Sequence, residues 1–282
     1  MIVEITRDAL HSVLHGVGYV VVNNAARSVI EFEQFSSDLF SHYHNPATRI
    51  DARKLSHDGA TSQVGAVGYL LGHSEAYYNP HKSPPDVCLF WCMEAPTSRG
   101  GETFIVNGEA LLERLSADLR YKLEHTQVVY EMTWSFDRCK AEFGIEEIED
   151  IKLLLSADTH SEFSVLDSDQ LLIRYRTSAV VRDTEGKCGF INGILAHLPR
   201  IDYQKYAGVT YVCPQNRVFW EDGNELSSAE IGDIIQAHDS VLQKHEWNRF
   251  DLLLINNHKF LHGRNAMIGE GKRVIFSRFA YW

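Results

Sequence analysis

The stretch from Leu71 to Val106 restricts the fold more than any other part of the chain. His73 and Glu75 stand two positions apart, so on an extended backbone an imidazole and a carboxylate leave the same face and can grip one metal ion. Gly100-Gly101-Glu102-Thr103 follows as a flexible turn into a β-branched segment, which predicts that 103–106 folds back as a strand against the His73 strand. Between these features, Val87-Cys88-Leu89-Phe90-Trp91-Cys92 is an unbroken apolar run and reads as a buried strand. Cys88 and Cys92 are therefore assigned to the core and not to a metal pair.

Further strands with flanking helices follow from the rest of the chain. Thr6 caps a helix running to about His15, Gly16 and Gly18 break it, and Tyr19-Val20-Val21-Val22 reads as a buried strand. Val29, Phe32, Phe35, Leu39 and Tyr43 recur at helical spacing, whereas the polar segment 45–68 reads as loop. Asn107 opens a helical stretch through Leu123, and Val128-Val129-Tyr130 returns as a strand. In the acidic segment 139–155, Ile148, Ile151 and Leu155 mark the buried face of a surface helix, with a substrate lid as the alternative. Runs 163–166, 171–176 and 179–181, with tight turns, suggest antiparallel pairing. Ser227 and Glu230 form a capping box that opens a helix whose Ile231, Ile234, His238, Val241, Leu242 and His245 share one side. Leu252-Leu253-Leu254-Ile255 is a strand that carries Asn256, Asn257 and His262 to a turn, and 273–279 is the final strand.

A chain of 282 residues suits one large β domain. Its net charge of -11, with no basic stripe, argues against nucleic acid or an anionic membrane surface as a partner, and no apolar run reaches membrane-spanning length. The expected ligand is a small molecule, free or presented by a partner, and the chain is compatible with a homo-oligomer. Five cysteines, an odd number in mostly apolar surroundings with no secretory segment before them, point to the reduced cytoplasm.

The distant partner of His73 and Glu75 is Leu261-His262-Gly263-Arg264, with Arg273 eleven positions after His262. Two imidazoles and one carboxylate that leave other coordination positions open suit non-haem Fe(II), the centre of many oxygenases. His258, four positions before His262, offers a rival zinc pair, but no Glu follows His258 and the preceding run reads as strand and turn.

Taken in order, His73-x-Glu75, Gly100-Gly101-x-Thr103, the run from Asp251 to Asn257 leading into His262-Gly263-Arg264, and Arg273 resemble the taurine dioxygenase (TauD/TfdA-like) family of Fe(II)- and 2-oxoglutarate-dependent oxygenases. Gly16-Val17-Gly18-Tyr19-Val20-Val21 and Phe190-Ile191-Asn192 extend the likeness over most of the chain. The resemblance implies a mainly β fold with flanking helices, the double-stranded β-helix or jelly roll. It implies one domain spanning 1–282 with a helical insertion around 137–160. Fe(II) is then expected on His73, Glu75 and His262, with Thr103 and Arg273 holding the distal carboxylate of 2-oxoglutarate and O2 as the oxidant. The implied reaction is hydroxylation of a small amino-acid-like substrate, free or tethered to a carrier protein, in natural-product biosynthesis, with succinate and CO2 as co-products. Desaturation, ring formation and a catalytically inactive binding protein are the alternatives. Related halogenases lack the ligand carboxylate, so Glu75 favours oxygenation. Tyr77, Arg174 and Asn192 are candidates for substrate contact, and His81 is a surface or substrate residue in the loop after the ligand strand. The chain departs from the family twice. Its motif carboxylate is Glu where Asp is commoner, and the second basic residue of the last strand falls five positions after Arg273, at Arg278. On a regular strand Arg278 faces away from Arg273, and it reaches the substrate only if a bulge intervenes.

Overall fold

A computed structural model describes residues 6–44, 54–55, 60–64, 68–80, 83–167, 169–183, 185–198 and 216–282. Its larger antiparallel sheet runs in the order Tyr19–Val22, Leu252–Asn256, Val87–Glu94, Val274–Tyr281, Ser62–Val64 and Lys54–Leu55, with His42–Tyr43 also on Val274–Tyr281. A four-stranded antiparallel sheet, in the order Leu242–His245, Thr103–Asn107, Phe260–Arg264 and Leu70–His73, lies opposite. Cys88, Phe90, Leu253, Ile275 and Phe279 of the larger sheet meet Ile105 and Phe260 of the smaller one in a shared core.

Helices cover the outer faces of both sheets. Arg7–Gly16 and Val29–Leu39 pack Leu10, Leu14, Phe32 and Leu39 on Leu89, Trp91, Leu252 and Leu254. Because apolar neighbours meet both faces of Val87–Glu94 and Leu252–Asn256, neither strand needs a polar face, which explains their unbroken apolar runs. Gly108–Arg114, Ala117–His125 and Ser228–Val241 cover the smaller sheet, together with a third sheet of Ser161–Asp167, Gln170–Ser178, Gln127–Ser135 and Arg217–Trp220. Facing antiparallel sheets flanked by helices make this a jelly roll. Among the described residues, no helix is long and apolar enough to cross a membrane.

Where a cap was legible, the helix starts as read. Thr6 Oγ1 accepts from Ala9 N at 3.3 Å, and Asn107 Oδ1 accepts from Ala110 N at 2.9 Å. Ser227 Oγ accepts from Glu230 N at 3.2 Å, while Glu230 Oε2 accepts from Ser227 N at 2.7 Å. Helix ends and sheet neighbours differ from expectation more often. The stretch 108–125 is two helices, because Leu115 has extended backbone and Ser116 anchors the break by donating its N–H and hydroxyl to Asp233 at 3.1 and 2.6 Å. Tyr43 belongs to the short strand His42–Tyr43 and not to the preceding helix, and the segment read as loop contains Lys54–Leu55 and Ser62–Val64. The acidic segment likewise folds as two helices, Phe136–Phe143 and Ile148–Ala157, where one was read. Tyr19–Val22 is half-buried, as an edge strand of its sheet. His81 lies outside the described residues.

Two corrections bear on the site. Thr103–Asn107 does not pair with the His73 strand, because Phe260–Arg264 lies between them and takes both edges. The helix opened by Ser227 ends at Val241, and Leu242–His245 leaves as a strand on the free edge of Thr103–Asn107, so Leu242 and His245 are sheet residues.

Candidate metal centre

His262 lies within its strand and not in a turn, and it stands directly opposite His73 on the neighbouring strand. Opposed residues of an antiparallel pair share a face, so the two imidazoles project together with ring centroids 4.5 Å apart. Leu70–His73 ends at the first ligand, and Glu75 sits in the turn that follows, one residue before Ala76 at φ 63°. That turn, rather than two-residue alternation along one strand, brings Glu75 Oε2 to 3.9 Å from His73 Nε2. The donor atoms of His73, Glu75 and His262 all lie within 4.8 Å of one another, at 7, 1 and 5 % exposure.

Neighbouring groups fix this arrangement. Asn257, fully buried, clasps the backbone of Glu75: its Oδ1 accepts from Glu75 N at 2.8 Å, and its Nδ2 donates to Glu75 O at 3.0 Å and Pro85 O at 2.9 Å. His73 Nδ1 lies 3.1 Å from Leu71 O, and since a carbonyl only accepts, the proton sits on Nδ1, the tautomer whose Nε2 lone pair can coordinate a cation. Burying a carboxylate between two imidazoles costs free energy that a cation offsets. Two imidazoles and one carboxylate are a donor set that suits non-haem Fe(II).

The rival His258 is used elsewhere. Its Nε2 donates to Asp86 Oδ1 at 2.7 Å, which leaves Nδ1 to accept from the Tyr77 hydroxyl. Burial alone would raise the pKa of Asp86, but hydrogen bonds from His258 and from Trp282 N, the latter at 2.9 Å, outweigh it and hold the carboxyl below its usual range. Tyr77, two residues after Glu75, is the one substrate candidate at the edge of the centre, and its hydroxyl is committed to His258. Burial raises that hydroxyl's pKa above its ordinary value.

A second cluster of polar groups lies one strand away. Thr103 is buried, and its Oγ1 accepts from Trp247 Nε1 at 3.1 Å and from Arg273 Nη2 at 3.3 Å. A hydroxyl oxygen accepts two hydrogen bonds, so Thr103 has only its proton left to give. Arg273 Nε and Nη1 meet no acceptor among the described residues. Burial, with a smaller contribution from nearby Arg264, brings the Arg273 guanidinium down to about 9. Arg264, lowered by burial to about 10, donates Nε to Gly68 O at 2.8 Å and serves the fold. A desolvated guanidinium and a hydroxyl with only a proton to offer are chemically suited to a carboxylate.

Two other candidates, Arg174 and Arg278, are placed away from this centre, and Asn192 meets it only through its backbone. The last strand does face a bulge, but the extra residue, Met93, is on the partner strand Val87–Glu94, so alternation from Arg273 to Arg278 is not reset. Arg278, 2 % exposed, turns to the opposite face, donates to Glu33 O at 2.9 Å and to the Ser36 and Ser37 hydroxyls, and lies 3.8 Å from the Tyr43 ring centroid. Asn192 spends its amide on the backbone, donating to Ala179 O at 2.7 Å and accepting from Ile194 N at 2.9 Å. Its carbonyl supports the ligand turn by accepting from Ser74 N at 2.9 Å. Arg174 pairs with Glu131 at 2.8 Å and lines a cavity of about 250 Å³ with His160, Arg176 and Phe219, which none of the three ligands borders. Sequence reasoning assigned no role to Asn257 or Trp247. A buried Asn directly after an apolar strand was the available signal for the first, and nothing local marked the second.

Residues 2–279 match the family described as Taurine catabolism dioxygenase TauD, TfdA family. The chain belongs to the TauD/TfdA family and is an Fe(II)- and 2-oxoglutarate-dependent oxygenase. No curated protein matches it by sequence. Among solved structures, PvcB from Pseudomonas aeruginosa is similar at 14 % identity and TM-score 0.57, over 99 % of this chain and 80 % of that one. PvcB is described as an Fe, alpha-ketoglutarate dependent oxygenase from an isonitrile synthetic pathway. A taurine dioxygenase from Burkholderia xenovorans is similar at 11 % identity and TM-score 0.58, over 97 and 80 % of the two chains. AAD-2, solved with Mn(II) and N-oxalylglycine, gives 12 % identity and TM-score 0.56 over 98 and 87 %. At such identities the likeness concerns the fold.

Proposed function

We propose that this oxygenase hydroxylates a small amino-acid-like substrate, free or tethered to a carrier protein, in secondary metabolism. The buried cluster of His73, Glu75 and His262 beside the anion receptor of Arg273 and Thr103 is the observation that carries the chemistry. When bound, Fe(II) with 2-oxoglutarate and O2 supplies the oxidising power, and 2-oxoglutarate ends as succinate and CO2. His73, Glu75 and His262 would hold the metal. Arg273 and Thr103 take the distal carboxylate and so aim the keto acid end at the metal. Retention of Glu75 as a third ligand favours oxygenation over halogenation. The natural-product setting follows from the resemblance of the sequence to family members that hydroxylate amino acids in such pathways; PvcB, which shares the fold, is described as coming from an isonitrile synthetic pathway. Free cysteines at 88, 92, 139 and 188 suit a reduced compartment such as the cytoplasm.

Anaerobic addition of Fe(II) and then 2-oxoglutarate should produce a weak visible metal-to-ligand band. His73→Ala, Glu75→Ala or His262→Ala should each abolish it. A panel of amino acids, free and carrier-bound, scored by succinate release and product mass, should give a product heavier by one oxygen. Products lighter by two hydrogens would replace hydroxylation with desaturation or ring closure, and tight zinc binding with indifference to 2-oxoglutarate would overturn the proposal.

A further inference from the structure

One more side chain shares the face that carries the Thr103 hydroxyl. Leu242–His245 pairs antiparallel with Thr103–Asn107, and His245 stands directly opposite Thr103. Opposed residues share a face, so imidazole and hydroxyl project together. That face looks inward, since Thr103 is 3 % exposed and Ile105, two residues on, belongs to the core between the sheets. His245 also meets Trp247 edge-on, with ring centroids 4.4 Å apart, and Trp247 Nε1 is one of the two donors to Thr103 Oγ1. Arg273 and Trp247 thus donate to one hydroxyl, and His245 lies against Trp247 on the same face.

The polar groups here remain incomplete. His245 Nε2 is buried and meets no partner among the described residues, as is true of Arg273 Nε and Nη1. Buried polar nitrogens without partners are rare and costly, and three of them occur around an oxygen that can itself only donate. Burial pushes the imidazole pKa below its ordinary range, with Asp251 pulling the other way. Asp251 does not fill the gap: His245 Nε2 makes no hydrogen bond to it, and Asp251 Oδ2 accepts instead from Asn248 N and Nδ2, both at 3.1 Å. Arg273 Nε and Nη1 can only donate, and His245 Nε2 donates in the tautomer that carries its proton there, so together the three suit a ligand rich in acceptor oxygens.

We infer that His245 is a third recognition residue for the distal carboxylate of 2-oxoglutarate, donating from Nε2 beside Arg273 and Thr103. This rests on the reading that Arg273 and Thr103 hold that carboxylate. Its consequence is selectivity for keto acids with a second carboxylate, beyond what the Arg–Thr pair alone confers.

Calorimetric titration of the full-length Mn(II)-loaded protein with 2-oxoglutarate and with 2-oxobutyrate, which keeps the keto acid end and lacks the distal carboxylate, tests this. H245F keeps a ring against Trp247 and removes the nitrogen. It should weaken 2-oxoglutarate roughly tenfold or more, the worth of one charge-assisted hydrogen bond, and leave 2-oxobutyrate and Mn(II) binding unchanged. H245Q, which restores a side-chain N–H, should recover part of the loss and serves as the test if H245F does not fold. Equal losses for both keto acids would mean His245 only packs, and unchanged 2-oxoglutarate binding in H245F would likewise overturn its role. Failure of the wild-type protein to bind 2-oxoglutarate would instead overturn the reading of the anion site itself.

Discussion

Replacing Asn257 by Ala should damage the metal centre beyond its effect on stability. The side chain makes three hydrogen bonds to backbone: one from Glu75 N, one to Glu75 O and one to Pro85 O. Each contributes about 1 kcal/mol net, and each backbone group left buried without a partner adds a penalty of about 1–3 kcal/mol unless water enters the gap. Partial rescue by water brings the expected loss to roughly 2–5 kcal/mol, or about 5–15 °C in Tm for a chain of this size. Two of the three bonds also hold the backbone of a ligand. Loss of such outer support typically weakens metal binding about 10- to 100-fold. Asn257→Asp is a sharper probe, because it keeps the acceptor for Glu75 N yet turns a carboxylate oxygen toward two carbonyls, and it should do no better than Ala. Arg278→Met is the control. It removes the buried donor to Glu33 O and to the Ser36 and Ser37 hydroxyls on the far side of the larger sheet, so it should lower Tm without moving metal affinity. Mn(II) titration beside thermal melting reads both quantities, and equal metal affinity in Asn257→Ala and Arg278→Met at similar Tm loss would refute the clasp.

Arg273→Leu should raise the 2-oxoglutarate requirement at least tenfold while Mn(II) affinity holds, and an unchanged requirement would move the anchor to another residue. Gly263→Ala should weaken metal binding and lower Tm, because a Cβ there would lie 2.4 Å from Leu70 O and against the Phe104 ring, forcing apart the two strands that carry His262 and His73. Wild-type metal affinity in that variant would show that the strands have slack. The pKa of Asp86 is depressed by folding, so its stabilisation is present above the ordinary value of 3.8 and disappears as pH falls through the lower folded value. The Tm difference between wild type and Asp86→Asn should therefore narrow on acidification through that window, and a constant difference would remove the carboxylate from the acid transition.

Local chemistry made much of this protein readable from residues alone. Caps at Thr6, Asn107 and Ser227 are satisfied within three positions, so they specify helix starts without help from the rest of the chain. Apolar runs at 87–92 and 252–255 are strands because residues covered on both faces need no polar alternation. The metal-binding types at 73, 75 and 262 and the anion-binding types at 103 and 273 stand out by chemistry and order. Position in space was another matter. His73 and His262 meet because one register places them opposite each other on adjoining strands, and a shift of one residue would send one imidazole to the other face. Glu75 reaches them through a turn clasped by Asn257, a contact spanning most of the chain. His245 fits helical spacing as well as it fits a strand, and only the free edge of Thr103–Asn107 decided that it would leave the helix. Arg278 shows the converse: a bulge did form, but on the opposing strand, where no pattern in its own segment could report it. Periodicity and capping act within a turn or two of the backbone. Register, strand neighbours and the side taken by a bulge are settled between segments far apart in sequence, by which edges remain open when the sheets assemble.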